Sequence, residues 1–143
     1  MSGSVPARKH SVAIVLRDAE GRFLAVRRSD DDDTLPGLWG LPAATARPGE
    51  TEEFCAVRAG RDKLGVSIEL GRRIGEDGNG STRLVEYEAT IVAGTPSVPQ
   101  PVAGTSQYAA LRFTDDPRLL VEAARQGSLC SRIWLRHLGL DWR

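Results

Sequence analysis

The segment from residue 43 to residue 66 constrains the fold of this chain most strongly, because it carries the signals that begin and end a helix. Glu52 and Glu53 stand where a first helical turn would lie, and negative charge there complements the helix dipole. Gly65 is typical of the residue that ends a helix in a left-handed conformation. We therefore predict a helix over residues 51–64.

The apolar residues of this segment predict which face of the helix enters the core. They are Phe54, Ala56, Val57 and Leu64. Gly60 is unexpected inside the helix, where glycine costs about 1 kcal/mol relative to alanine. It also leaves a gap that another side chain has to fill.

Four residues of the same segment, Glu50, Arg58, Gly65 and Val66, have a spacing that resembles the Nudix family motif. That motif reads G-x5-E-x7-R-E-U-x-E-E-x-G-U, where U is a bulky aliphatic residue. The preceding chain extends the resemblance through its apolar runs, the Pro-Gly-Leu-Trp segment at 36–39 and the Pro-Gly-Glu turn. One motif alone is weak support, whereas an ordered set of this kind rarely arises by chance.

The resemblance implies an α/β fold, namely a Nudix-type α/β/α sandwich with a mixed, curved β-sheet. We expect a short mobile tail at residues 1–8 and a single domain at 9–143, a length that suits one core. The elements expected along the chain are a hairpin of strands 10–17 and 22–28, strands 67–76, 82–93 and 108–113, and helices 116–126 and 131–138.

In the Nudix family, carboxylates of this helix and the preceding loop hold Mg²⁺, which grips a diphosphate and activates water. Carried over position by position, the resemblance assigns catalytic roles to Glu50 and Arg58. Ala59 stands where the first late glutamate belongs and offers no ligand, whereas Asp62 keeps a carboxylate. Lys63 replaces the last glutamate and reverses its charge. A metal site would therefore be weak or absent, with Glu50 and Asp62 as its remaining ligands.

Lys63 has two interpretations that the sequence leaves open. Its ammonium could lie between Glu50 and Asp62 and stand in for a metal ion, attracting an anionic ligand. Alternatively, it faces solvent in a site that has lost its chemistry.

Further site candidates lie outside the motif. Glu86 and Glu88 share one face of the predicted strand 82–93 and could act as a general acid/base pair if they face the cleft, although such residues more often form the solvated side of an antiparallel strand. Trp39 and Tyr87 are candidates for stacking on a base, with core packing the more usual role for Trp39. Arg27 is a candidate for phosphate binding.

Composition limits the classes of partner. Asp30–Asp33 is an acidic run, expected in a solvated loop that is mobile unless counter-charges hold it. The chain has 19 basic and 19 acidic residues, so its formal charge is zero and gives no push toward nucleic acid or membranes. Hydrophobic residues make up 41%, without an apolar run of membrane-spanning length or a signal peptide.

Cys55 and Cys130 show no metal-ligand spacing. Free thiols in a reducing cytosol are the simpler interpretation, and one disulfide is the alternative. The expected ligand is a small molecule, with diphosphate-containing compounds included, and a homodimer stays open.

Three hypotheses for function follow. The first is a Nudix-superfamily enzyme that acts on a nucleotide-like or other small polar metabolite. Its Mg²⁺-dependent diphosphate hydrolysis is reduced or absent. Two alternatives stay open, namely weak hydrolysis with Mg²⁺ through Glu50 and Asp62, and a metal-independent reaction in the same cleft. The second is a non-catalytic ligand-binding module, and the third an ordinary Mg²⁺-dependent hydrolase of nucleoside diphosphates linked to another group. The triplet Ala59, Asp62 and Lys63 argues against the third.

Overall fold

The structure, a computed structural model, describes residues 8–98 and 108–143. Residues 1–7 of the predicted tail and residues 99–106 of the predicted loop lie outside these ranges. The strands are β1 (Lys9–Leu16), β2 (Phe23–Arg28), β3 (Trp39–Gly40), β4 (Ala43–Thr45), β5 (Ser67–Gly78), β6 (Thr82–Ala93) and β7 (Tyr108–Thr114). The helices are α1 (Glu52–Ala59), α2 (Val121–Arg125) and α3 (Leu129–His137), with a π-helical turn at Gly60–Leu64 and a 3₁₀ turn at Pro117–Leu120.

The central sheet is mixed and has the strand order β4-β1-β6-β5, while β3, β2 and β7 form a second sheet. Helix α1 packs on one face of the central sheet, where Val12, Ile14 and Leu16 point. Helix α3 covers the other face, against Ala13 and Val15. This α/β architecture confirms the predicted fold class.

The predicted hairpin between the first two strands is wrong. Strand β1 pairs with β6 in parallel and with β4 antiparallel, whereas β2 belongs to the second sheet. A single bridge between Arg17 and Phe23 is the only pairing recorded between these neighbouring stretches of the described chain. The physical reason lies in the apolar run of β1, which is buried on both faces and therefore occupies the sheet interior.

The helix predicted over residues 51–64 changes character at its middle. Thr51 caps α1 by accepting a hydrogen bond from the backbone of Phe54, and the chain widens into a π turn from Gly60 onward. Gly65 closes that turn with φ of 72°, a left-handed conformation that favours glycine. A Cβ at Gly60 would lie 3.0 Å from Ile68 Cγ2, so Ile68 fills the gap that the missing side chain leaves.

Two other sequence expectations need correction. Phe54 is 59% exposed and does not belong to the core face, although Ala56 and Leu64 are buried as predicted. Residues 116–126, predicted as one helix, form only the 3₁₀ turn and the short α2, and the helix that covers the sheet is α3.

The central sheet separates the two cysteines. Cys55 is buried with α1 on one face, and Cys130 is buried with α3 on the other. Both thiols are free, so the disulfide alternative is wrong. None of the helices in the described ranges has the length and apolar character needed to cross a bilayer.

Candidate functional site

A cavity of about 360 Å³ opens between the start of the central sheet and the N-terminal end of α3. Its charged and titratable lining consists of Lys9, Arg28, Asp32, Asp33, Lys63, Tyr108 and Cys130. Ser11, Leu84, Ser128 and backbone of β4 complete much of the wall. The cavity is large enough for a small metabolite, and it has cations on several sides.

Lys63 is the one predicted site residue that lines this cavity. Its half-buried side chain extends from the π turn to β4, where Nζ donates a hydrogen bond of 2.5 Å to the carbonyl oxygen of Ala43. Nζ also lies 5.5 Å from the ring centroid of Tyr108. Burial, assisted by the positive charges of Arg28 and Arg58, lowers the pKa of Lys63 to about 8.

The hypothesis that Lys63 stands in for a metal ion, called the metal-replacement hypothesis below, expects its ammonium between Glu50 and Asp62. The structure does not place the ammonium of Lys63 there. No carboxylate within the described ranges forms an ion pair with its ammonium. Asp62 is exposed and pairs with Arg61 at 3.2 Å. Asp62 and Lys63 are adjacent residues of the π turn, and neighbouring positions on a helix point in different directions, so the two side chains diverge.

Glu50 and Arg58 form a buried pair next to the cavity. The carboxylate accepts hydrogen bonds from Arg58 Nε at 2.8 Å and from Arg58 Nη2 at 2.9 Å. It also accepts one from the backbone N–H of Arg47. The hydrogen bonds from Arg58 lower the pKa of Glu50 to about 2, so the carboxylate is ionised and engaged.

Arg58 is held from a second side as well. Its Nη2 donates to the carbonyl oxygen of Thr45 at 2.8 Å, which ties α1 to strand β4. Ala59, the next residue, is 1% exposed and packs in the core. The positions that follow the arginine therefore contribute a buried methyl group, an exposed carboxylate and a cavity-facing ammonium.

The structure does not bring Glu86 and Glu88 together with the helix α1. Both belong to the sheet face on which α3 packs, because Glu86 pairs in register with Ala13 and Glu88 with Val15. Glu86 is fully buried, and neither carboxylate oxygen has a hydrogen-bond partner. Desolvation and proximity to Cys130 raise its pKa well above the usual value, so it is a neutral acid in the core. The expectation of a solvated strand side is wrong for Glu86.

Glu88 is partly exposed and pairs with Arg72 at 3.3 Å. Tyr87 faces α1, where its hydroxyl donates a hydrogen bond of 2.5 Å to Glu52. Trp39 is half-buried against the core on the α3 side, and Arg112 lies 5.2 Å from its ring centroid. None of these side chains lines the 360 Å³ cavity within the described part of the chain.

Arg27 also lies outside the cavity and pairs with Asp30 at 3.4 Å. Its neighbour Arg28 does line the cavity and pairs with Asp32 at 3.3 Å. The acidic run therefore has counter-charges that the two arginines supply. The sequence singled out Arg27 as a phosphate candidate, and the member of this arginine pair that lines the cavity is Arg28.

Sequence reasoning missed several cavity residues, namely Lys9, Arg28, Tyr108 and Cys130. The rarity of lysine is a signal that could have identified two of the lining residues, because Lys9 and Lys63 are the only lysines among the 19 basic residues of the chain. No local signal marks Tyr108. Tyr108 begins β7 in the second sheet. It reaches the cavity because its hydroxyl meets the backbone of Ala43, which belongs to β4 of the central sheet.

The model of the NUDIX domain family matches residues 7–108. No curated protein matches the chain. Among solved structures, the MutT protein from Methanosarcina mazei Go1 is similar over 95% of this chain and 97% of its own, with 17% identity and a TM-score of 0.63.

Two further solved structures have the same fold. An ADP-ribose pyrophosphatase from Streptococcus suis 89-1591 shares 19% identity, with a TM-score of 0.59 over 86% of this chain and 96% of its own. A NUDIX hydrolase from Nitrosomonas europaea shares 14% identity, with a TM-score of 0.69 over 93% of this chain and 89% of its own. The family match spans most of the chain, the two-sheet architecture agrees with these structures, and the chain therefore belongs to the NUDIX domain family.

Proposed function

We propose that this protein binds a small anionic or polar metabolite, nucleotide-like compounds included, in the 360 Å³ cavity, and that it does so without requiring Mg²⁺. Its diphosphate hydrolysis is reduced or absent, and any reaction it catalyses is metal-independent. The observation that carries this proposal is the position of Lys63, whose ammonium occupies the cavity at the place in the motif where the family has its last glutamate.

The donor set around the helix fits Mg²⁺ poorly. Mg²⁺ prefers a near-octahedral set of oxygen ligands. Glu50 has its two oxygens bound by Arg58, Ala59 has no ligand atom, and Asp62 is exposed and paired with Arg61. Within the described residues no group of three or more His, Cys, Asp or Glu side chains is placed to hold a metal ion.

The charge of the cavity favours an anionic ligand. Three cations, Lys9, Arg28 and Lys63, line it from three different elements against two carboxylates, Asp32 and Asp33, so the formal charge of the lining is +1. Arg28 alone of the three cations has a carboxylate partner within the described residues. Cations that converge on a partly enclosed space attract phosphate or carboxylate groups. The non-catalytic binding module is the second candidate, because the same features would serve a protein that only senses its ligand.

A ligand panel tests the proposal. Nucleoside di- and triphosphates, dinucleotides and other phosphorylated metabolites are assayed for cleavage and for thermal stabilisation of the protein, with and without Mg²⁺. We expect stabilisation by one anionic class in the absence of Mg²⁺, lost in Lys63→Met and retained in Arg72→Met, which removes an exposed cation outside the cavity. Efficient cleavage that depends on Mg²⁺ would contradict the proposal and favour the ordinary hydrolase.

A further inference from the structure

Apart from the cavity, α2, α3 and the segment after α3 form a pocket of about 290 Å³. Arg125, Arg132, Trp142 and Arg143 line this arginine pocket, and none of them lines the 360 Å³ cavity. Within the described residues the lining holds three guanidinium groups and no carboxylate, so its formal charge is +3. The formal charge of the whole chain is zero, so positive charge is concentrated here and favours an anionic ligand.

Arg132 is held in a fixed direction. Its half-buried side chain donates a hydrogen bond of 2.7 Å from Nε to the carbonyl oxygen of Ala124. The guanidinium carbon also lies 5.7 Å from the ring centroid of Trp142. Among the described residues no carboxylate forms an ion pair with Arg132, in contrast to Arg125 and Arg136. The Nη groups of Arg132 therefore keep donors available for a ligand.

Arg125 and Trp142 join the elements that form the pocket. Arg125 Nε donates a hydrogen bond of 2.8 Å to the carbonyl oxygen of Trp142, which connects the end of α2 to the segment after α3. Arg136, one turn along α3 from Arg132, lies 5.7 Å from the centroid of the same indole ring. The indole therefore packs against two arginines of α3, while its backbone binds the arginine of α2.

The carboxylates near the pocket hold its arginines weakly. Glu122 lies 3.7 Å from Arg125, and Asp141 lies 3.7 Å from Arg143. All four side chains are more than half exposed, and exposed pairs contribute little to stability. An anion that binds two or three guanidinium groups at once therefore competes successfully with these carboxylates.

Arginine at every charged position of the lining points to phosphate. A guanidinium is a planar fork whose parallel N–H groups match the oxygens of a phosphate, and one phosphate presents three oxygens to several forks. The volume lies near the lower limit of small-molecule sites, so it suits a phosphate and the group attached to it.

We propose that the arginine pocket binds the phosphate group of a small phosphate monoester or of the 5′ end of a nucleic-acid strand. This inference goes beyond the proposed function, because it uses none of the cavity residues.

Titration calorimetry with pairs of phosphorylated and unphosphorylated probes tests the proposal. Ribose 5-phosphate is compared with ribose, and a 5′-phosphorylated hexaribonucleotide with its 5′-hydroxyl form. The protein is the full chain carrying Lys63→Met, which removes the cation on which the proposed function depends. We expect the phosphorylated member of a pair to bind more tightly, with an affinity that falls as the salt concentration rises. The tighter of the two phosphorylated probes identifies the source of the phosphate as a small molecule or a strand end.

Substitutions in the pocket locate the binding. In the Lys63→Met background, Arg132→Met and Arg125→Met should each lower the phosphate affinity about tenfold, because each removes charge-assisted hydrogen bonds. Arg132→Lys keeps the charge, loses the fork and should also bind more weakly. Arg118→Met is the matched control, since Arg118 is 81% exposed and lines neither the pocket nor the cavity. This control should keep the affinity.

Thermal denaturation establishes which variants are folded. Arg125 is exposed, so Arg125→Met decides the matter if Arg132→Met does not fold. Unchanged affinity in the folded pocket variants overturns the proposal, as does equal binding of phosphorylated and unphosphorylated probes. Phosphate binding that the wild type shows and Lys63→Met loses belongs to the cavity, which removes the arginine pocket and leaves the proposed function standing. Binding that persists in Lys63→Met and falls in Arg125→Met supports the pocket, whatever the ligand panel shows for the cavity.

Discussion

Arg58 holds Glu50 with two parallel hydrogen bonds, Nε to Oε2 at 2.8 Å and Nη2 to Oε1 at 2.9 Å. Both side chains are buried, and Nη2 also binds the Thr45 carbonyl, so the pair connects helix α1, the loop before it and strand β4. Bidentate pairing of this kind is the strongest geometry available to an arginine and a carboxylate. The pair therefore positions the helix. Because both oxygens of Glu50 already bind Arg58, the carboxylate has little capacity left to coordinate a cation.

Breaking this pair should destabilise the protein. Arg58→Met leaves a buried carboxylate without its partner, and we expect the free energy of unfolding to fall by about 3 kcal/mol. Glu50→Gln together with Arg58→Met should cost less than Arg58→Met alone, since no buried charge remains. Urea denaturation at pH 7 measures both. Equal losses in the two variants would mean that the charge itself is unimportant.

The same pair predicts an acid dependence. The pKa of Glu50 is lowered to about 2 in the folded state, below the ordinary value that it has when unfolded. The unfolded state therefore binds the proton first, and the stabilisation is complete above the unfolded pKa and lost as pH falls toward about 2. Urea denaturation between pH 5 and pH 2 should show a steeper loss in the wild type than in the double variant.

Lys63→Met should stabilise the protein at pH 7, because the folded state holds a partly desolvated ammonium. The metal-replacement hypothesis expects the opposite result. The folded pKa of about 8 lies below the ordinary value, so the unfolded chain binds the proton more tightly and wild-type stability rises with pH above about 8. We expect a gain of about 1–2 kcal/mol at pH 7 that shrinks toward pH 10. Thermal denaturation across this range measures it, and a loss of stability at pH 7 would contradict it.

Glu86→Met should also stabilise the fold. The substitution removes two buried carboxyl oxygens that have no partner and replaces them with an apolar side chain of similar length. An unsatisfied buried polar group costs about 1–3 kcal/mol. The pKa of Glu86 is raised in the folded state, so the wild type also loses stability as pH rises above the ordinary pKa of a glutamate. Denaturation of the variant should therefore be less pH-dependent between pH 4 and pH 8. If the variant keeps the wild-type activity toward a ligand that the panel identifies, Glu86 has a structural role only.

Mg²⁺ should bind the wild type weakly, and Lys63→Glu should bind it better. This substitution removes the ammonium from the cavity and brings a carboxylate toward the Ala43 carbonyl oxygen. Ala59→Glu is a poor companion, since Ala59 is 1% exposed and a glutamate there would enter the core. Isothermal titration with Mg²⁺ and Mn²⁺ compares the two proteins. Tight binding of Mg²⁺ to the wild type would contradict this prediction, because side chains other than those of the motif would then have to coordinate the ion.

Local signals determined much of this protein. The caps of α1, the glycine that ends its π turn, the alternation along β6 and the motif spacing are all short-range, so the sequence predicts the helix, the strand and the family. The buried pairing of Glu50 with Arg58 is also local, because residues eight positions apart meet across one loop and one helix.

Tertiary structure decided the rest. The partners of β1 come from residues 43–45 and 82–89, and no local pattern encodes that choice. The direction of Lys63 depends on a π turn and on a carbonyl twenty residues away, and the place of Tyr108 depends on a strand from the second sheet. Residue types and spacing fix which groups a helix carries, but the cavity arises where separate elements meet. Its chemistry follows from burial and from neighbours that lie far apart in the chain.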